Sequence, residues 1–358
     1  MSEPLKVLSY RGEYVVEQTD NIIEALQKEL QDEDFIIADA NVLELYPDLA
    51  AIVADRPHRS ITPSEEEKSY EALIPVIREL IERRFTKAGR LIAIGGGIIQ
   101  DITAFIASVF MRGVDWVFVP TTLLAQCDSC IGSKTSINFE GYKNQVGGFF
   151  PPRLILIDKS FLATLPPLEI RSGLGEMLHY FVVSGEEDFA WASPLIPQAF
   201  SDADIMQELV HRSLSIKKAM IEIDEFDKGP RNVFNYGHSF GHAMESALNY
   251  TVPHGVAVSI GIDMANTISV KEGLLDEATR LRIRQIAKII WDDTNIDPID
   301  VDRFIAALRR DKKNEGKDIK VILTRGLGDT FKTDLKFTNE IQELISSYLT
   351  DRKWENDE

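Results

Sequence analysis

Three of the chain's six histidines fall in one stretch, NYGHSFGHAMESALNYTVPHGVAVSIG, as His238, His242 and His254. The four-residue step from His238 to His242 puts both on one helical face. A catalytic zinc takes three protein ligands and keeps a fourth position open, and two imidazoles with one carboxylate is a known set. Glu176, in the glycine-flanked segment SGLGEMLHY, is a plausible third ligand. The metalloprotease pattern H-E-x-x-H fails because residue 239 is serine. Any one of these histidines alone reads as a cap or a core residue; three together favour a divalent metal.

Two further segments could gather an anion. The stretch PTTLLAQCDSCIGSKTSINFEGYKNQVGGFFPP carries Thr121, Thr122, Asp128, Ser129, Lys134, Lys143 and Asn144. Its hydroxyls, turn backbone and ammonium groups suit phosphate, although composition alone reads as a solvated Gly/Ser-rich loop. Upstream of the histidines lie Lys217, Lys218, Lys228, Arg231 and Asn235, and RRDKKNEGK adds Lys312 and Lys313. Such charges usually form a solvated face, but beside a metal they could clamp a carboxylate or phosphate. Gly95-Gly96-Gly97 follows the strand-like RLIAI and precedes a helix-like run. A turn of that kind lets a phosphate approach a helix N-terminus, yet Gln100 breaks the G-x-G-x-x-G fingerprint, so a plain tight turn reads equally well. Cys127 and Cys130 cannot complete a four-ligand zinc site and read as small buried thiols rather than a redox pair.

The elements that must hold these residues change character along the chain. Strand candidates LKVLSY, DFIIADANV, AAIVA, RLIAIGG, DWVFVP and LILID alternate with amphipathic stretches such as NIIEALQKELQ and EEEKSYEALIPVIRELIERRF. Such alternation predicts an α/β domain with a doubly wound parallel sheet over residues 1–166. Beyond Leu165-Pro166-Pro167 the segments LEIRSGLGEMLHYFVV, IMQELVHRSLSIKKAMIEI, HSFGHAMESALNY and GVAVSIGIDMANTISVKEG predict a mostly helical domain over 167–358, with few strand signals. A cleft between two such domains is a common home for a ligand.

Composition bounds the rest. With 39 Lys+Arg against 57 Asp+Glu the net charge is −18, which disfavours nucleic acid or an anionic membrane as the main partner. No apolar run approaches the ~20 residues of a membrane span, the N-terminal stretch lacks a signal-peptide core, and two cysteines make no disulfide framework. A cytoplasmic protein is the expectation.

The motifs GGGIIQDITAFIASVFMRG, VPTTLLAQCDSCIGSKTSIN, KNQVGGFF, LATLPPLEIRSGLGEMLHY, RNVFNYGHSFGHAMES, HGVAVSIG and RRDKKN occur in the order seen in 3-dehydroquinate synthase. Across roughly residues 35–330 the chain resembles that enzyme and the wider sugar phosphate cyclases. The resemblance implies NAD⁺ on Asp39, Asn41, Glu65, Lys68, Gly96, Gly97, Asp101, Thr121, Thr122, Asp128, Ser129 and Lys143. It implies zinc or cobalt on Glu176, His238 and His254, with His242 at the phosphate and proton-transfer end of the site. Lys134, Asn144, Lys217, Arg231, Asn235 and a lysine of the Lys312-Lys313 pair match substrate-binding positions. Arg112 matches an arginine that reaches a neighbouring subunit's site, implying a homodimer. The implied reaction on a sugar phosphate is redox-neutral: hydride leaves to NAD⁺, phosphate is eliminated, hydride returns, and the opened ring closes by an intramolecular aldol step.

Three positions depart from the 3-dehydroquinate synthase pattern. Gly132-Ser133-Lys134 replaces Gly-Gly-Lys, Gln100 replaces a glycine, and His179 stands where a substrate-side lysine is expected three residues past the metal glutamate. A mostly neutral imidazole differs from an ammonium in charge and reach. Lys217 and Arg231 nevertheless match the family's carboxylate-facing residues. GHSFGH lacks the proline expected of 2-epi-5-epi-valiolone synthases, and Arg231 argues against a 2-deoxy-scyllo-inosose synthase. The reading leans to a cyclase of sedoheptulose 7-phosphate, of the 2-epi-valiolone synthase type, with 3-dehydroquinate synthase close behind. An NAD- and metal-dependent polyol dehydrogenase is the rival of another class, and a catalytically dead protein of this fold the non-enzyme rival.

Overall fold

The computed structural model describes residues 3–140, 142–292, 294–310 and 318–355. They form two compact units, one of residues up to 165 together with 217–226, the other of 166–216 and 227 onward. Lys312 and Lys313 lie outside the described residues.

The first unit is built on a seven-stranded sheet in the order β1-β2-β9-β6-β5-β3-β4. Its strands are β1 (Leu5–Ser9), β2 (Gly12–Thr19), β3 (Phe35–Asp39), β4 (His58–Ile61), β5 (Leu91–Gly95), β6 (Trp116–Pro120) and β9 (Leu154–Asp158). All neighbours pair parallel except β1 with β2. The central strands β3, β5 and β6 are buried at every residue, which their unbroken apolar runs require of a sheet covered on both faces. Helices α1 (Ile22–Glu29), α2 (Ala40–Leu45), α3 (Pro47–Ala54), α4 (Tyr70–Glu82) and α5 (Gly97–Val109) connect the strands. AAIVA, read as a strand from sequence, is the end of α3, because Pro47 starts a helix there and only Leu49 and Val53 are buried. The stretch read as a Gly/Ser-rich loop is a hairpin of β7 (Lys134–Phe139) and β8 (Tyr142–Phe149).

The second unit holds α6 (Pro167–Ser184), α7 (Glu186–Ala192), the first part of α8 (Ala203–Ile223), α9 (His238–Ala247), α10 (His254–Lys271), α11 (Glu277–Trp291), α12 (Val301–Arg310) and α13 (Asn339–Thr350). It also contains an antiparallel pair, β10 (Asp318–Thr324) with β11 (Thr330–Lys336), in a region expected to be mostly helical with few strands. The end of α8 and the three residues after it, Lys217–Phe226, group with the first unit instead. Nothing in the helical periodicity of α8 marks that division.

Helix α10 is the centre of the second unit and is buried almost along its whole length. Glycines let it approach its neighbours. A Cβ on Gly255 would lie 1.8 Å from the Ser172 carbonyl oxygen, and one on Gly175 would lie 2.0 Å from that of Gly255. The Gly255 N–H donates to Ser172 Oγ at 3.1 Å across the same contact. On the other side Gly237, at φ +80°, and Gly261 bring the start of α9 equally close.

Candidate active site

Glu176 on α6, His238 at the start of α9 and His254 at the start of α10 bring ligand atoms within 4.8 Å of one another. The Gly175–Gly255 contact places the carboxylate and one imidazole side by side, because each glycine adjoins one of them in sequence. His238 Nε2 stands 3.6 Å from Glu176 Oε1 and His254 Nε2 stands 3.5 Å from Glu176 Oε2. The other nitrogen of each imidazole is occupied: His238 Nδ1 faces the Tyr236 carbonyl at 3.2 Å, and His254 Nδ1 faces Glu245 Oε2 at 3.3 Å. An acceptor on Nδ1 selects the tautomer whose Nε2 lone pair is free to bind a metal.

Glu176 is buried, and its Oε2 receives no hydrogen bond. Burial opposes its ionisation, but the imidazoles of His179 and His238 hold the carboxyl well below its usual range. Burial likewise works against a charged His254, yet the carboxylates of Glu176 and Glu245 hold that imidazole well above its usual range. The pocket therefore favours positive charge, which a divalent ion supplies. Buried anionic oxygen plus two Nε2 lone pairs fits Zn²⁺ or Co²⁺.

Two other histidines complete the group. His179, one turn after Glu176, is fully buried with Nδ1 3.4 Å from Glu176 Oε1, packed against Tyr180 and Phe234. His242 is exposed, its ring stacked on His254 at 5.5 Å between centroids. In the same unit Arg231 is buried, and Asn235 donates to the Asn232 carbonyl at 3.0 Å. Sequence reading missed Glu245, although its spacing of seven from His238 and three from His242 puts all three on one face of α9.

The first unit assembles the other candidates. Gly96 caps α5 and Gly97 faces open space, so the helix N-terminus is accessible to an anion. Asp39 ends β3, which pairs with β5, and caps α2 by accepting from the Asn41 N–H at 2.9 Å. Burial raises its carboxyl above the usual range. An acidic group at the end of the strand beside a glycine turn is where dinucleotide folds hold a ribose. Lys68 is buried against Asp101 at 2.8 Å, and the Ser136 N–H donates to the other Asp101 oxygen at 2.9 Å. Glu65 accepts from Asn138 Nδ2 at 2.8 Å and pairs with Lys143 at 3.4 Å. These bonds tie the β7–β8 hairpin to α5 and to the segment before α4.

The Thr121 N–H donates to the Gly95 carbonyl, and Thr122 Oγ1 accepts from the Ala125 N–H. Asp128 accepts from buried Lys217 at 2.7 Å, both belonging to the first unit. Gln100, the residue that breaks the glycine fingerprint, donates to the Ser129 carbonyl and accepts from Ser129 Oγ, each at 2.6 Å. Lys134 and Asn144 are exposed on the hairpin, and Asn144 Oδ1 accepts from Ser136 Oγ at 3.0 Å. Ser133, just before Lys134, has φ +65° and donates through Oγ to Glu225 at 2.7 Å, a carboxylate that also holds Ser9 and the Tyr10 N–H. Cys127 and Cys130 are buried and unbridged, and burial pushes the Cys130 thiol up to about 12. Arg112 is exposed on the turn after α5, at φ +64°.

Comparison with known proteins agrees along most of the chain. Residues 58–172 match the family 3-dehydroquinate synthase N-terminal, and residues 173–314 match 3-dehydroquinate synthase C-terminal. A 3-dehydroquinate synthase of Sulfurovum sp. (strain NBC37-1) is 38% identical over 80% of each chain. One from Alkaliphilus metalliredigens (strain QYMF) is 34% identical over 89% of this chain and 90% of its own. Among solved structures, 2-epi-5-epi-valiolone synthase from Streptomyces hygroscopicus subsp. jinggangensis 5008, with NAD⁺ and Zn²⁺ bound, superposes with TM-score 0.82 at 27% identity. That match covers 98% of this chain and 99% of the other. Among the described residues no helix is long and apolar enough to cross a membrane.

Proposed function

Because the chain belongs to the 3-dehydroquinate synthase family, and is a phosphate-eliminating sugar phosphate cyclase of that group, we propose that it cyclises sedoheptulose 7-phosphate to a seven-carbon cyclitol of the 2-epi-valiolone type. The observation that carries the choice of sugar is His179. It is fully buried one turn beyond Glu176, where the resemblance calls for a lysine. A buried imidazole offers no fixed ammonium to a substrate carboxylate, so a sugar without one is the better fit.

NAD⁺ would supply a reversible hydride acceptor and the divalent ion a Lewis acid, together letting phosphate leave with no net oxidation. Glu176 Oε1 or Oε2, His238 Nε2 and His254 Nε2 would hold the ion. Asp39 would take the cofactor's ribose, and the N–H groups at the start of α5, Gly97 among them, its pyrophosphate. Lys134, Asn144, Lys217, Arg231 and Asn235 would orient the sugar phosphate, with exposed His242 carrying a proton on its imidazole at the phosphate end. These fixed cations and amides work by position and charge rather than by covalent bonds to substrate.

The second reading is 3-dehydroquinate synthase, favoured by Lys217 and Arg231, both buried and both matching carboxylate-facing positions. The test supplies NAD⁺ and Zn²⁺ or Co²⁺ and follows phosphate release with the two sugars. Turnover of sedoheptulose 7-phosphate without lasting NADH is expected. Turnover of 3-deoxy-arabino-heptulosonate 7-phosphate alone would reverse the assignment, and steady NADH from simple polyols would point to a dehydrogenase.

A second copy of the chain completes the reading. Arg112 follows Val109 and Met111, which are 49% and 42% exposed, and the groove between α4 and α5 adds Tyr70, Ile74 and Ile81. Covering that apolar strip would carry Arg112 toward a partner. Sedimentation velocity should give twice the 40.3 kDa chain mass, and a fully active monomer would sink the proposal.

A further inference from the structure

His254 lies between two carboxylates, with Nε2 toward Glu176 Oε2 and Nδ1 toward Glu245 Oε2. The two metal-ligand imidazoles are thus supported differently. His238 Nδ1 has a neutral backbone acceptor, whereas His254 Nδ1 has a side chain that carries a full negative charge when ionised. Glu245 also belongs to a second possible triad, with His242 and His254. The two arrangements compete, since one neutral imidazole has a single lone pair for a metal. Glu176 is the more deeply buried carboxylate, and His238 and His254 present their free nitrogens to it; His242 is exposed.

We propose that Glu245 is a positioning residue: its carboxylate accepts the His254 Nδ1 hydrogen, locks the ring's tautomer and angle, and makes Nε2 a stronger donor to the metal. A carboxylate behind a ligating imidazole acts in this way, and removing one typically costs about 10–100-fold in metal affinity. Nothing in the sequence pattern of zinc ligands requires Glu245, because it need not touch the ion. The inference rests on the metal reading of Glu176, His238 and His254.

The test titrates chelator-stripped protein with Zn²⁺ against a competing chelator, and records the visible spectrum with Co²⁺. The unsubstituted chain should bind one ion; failure to bind would defeat the metal reading itself. Glu245→Gln should weaken Zn²⁺ by about 10–100-fold and shift the Co²⁺ bands, while its unfolding temperature without metal stays near that of the parent. In a His254→Ala background the same change should have no further effect on affinity, because the residue it acts through is gone. Unchanged affinity in Glu245→Gln, an additive loss in the double variant, or a second ion lost with Glu245 would each overturn the proposal.

Discussion

Glu176→Gln is expected to weaken Zn²⁺ binding by about 10²- to 10⁴-fold and to abolish phosphate release. The carboxylate is the only anion among the three proposed ligands, and it is 3% exposed. An amide of the same shape keeps an oxygen but loses the charge that balances a divalent ion. Removing one partner of a buried charged contact costs about 3–5 kcal/mol, and each 1.4 kcal/mol is tenfold. Glu176→Asp retains the charge one methylene further back and should fall between the two. Chelator competition measures all three, and a Gln variant within tenfold of the parent would remove Glu176 from the ligand set.

Gly255→Ala should damage the same pocket without replacing a ligand. The added methyl would lie 1.8 Å from the Ser172 carbonyl oxygen, on backbone that cannot rotate away. Helices α6 and α10 must then part, carrying Glu176 and His254 with them. Overpacking of this kind costs about 1–3 kcal/mol and sometimes more, or roughly 2–12 °C in unfolding temperature for a unit of this size. Gly97→Ala is the contrasting variant, since nothing lies within 4 Å of its added methyl. Its unfolding temperature should hardly change. Equal thermal losses in the two variants would show that close approach at Gly255 is not what the glycine provides.

The cluster of Glu176, His238 and His254 was legible as a candidate metal site because ligand chemistry restricts residue types severely, and half of the histidines stand together. The parallel sheet was legible for a similar reason: its central strands are almost continuously apolar, only Asp39 at the end of β3 being charged, and are bounded by turns. The β7–β8 hairpin left a weaker trace. Every residue of β8 is half-buried or exposed, and glycine occupies position 147 because a Cβ there would lie 2.1 Å from the Thr135 carbonyl oxygen. AAIVA shows the opposite ambiguity, since a short apolar run fits a strand or a packed helix equally well. The support from Glu245 is a tertiary contact made across the turn between α9 and α10, so its helical spacing was visible while its partner was not.

Ser133 and Glu225 are energetically coupled. A serine in left-handed backbone costs about 1–2 kcal/mol that glycine does not, and here its hydroxyl recovers a bond to Glu225. The same carboxylate also holds Ser9 and the Tyr10 N–H, so a substitution at position 225 would leave the strain at Ser133 uncompensated and loosen the first hairpin together with it. The effects of changing the two positions should therefore be non-additive.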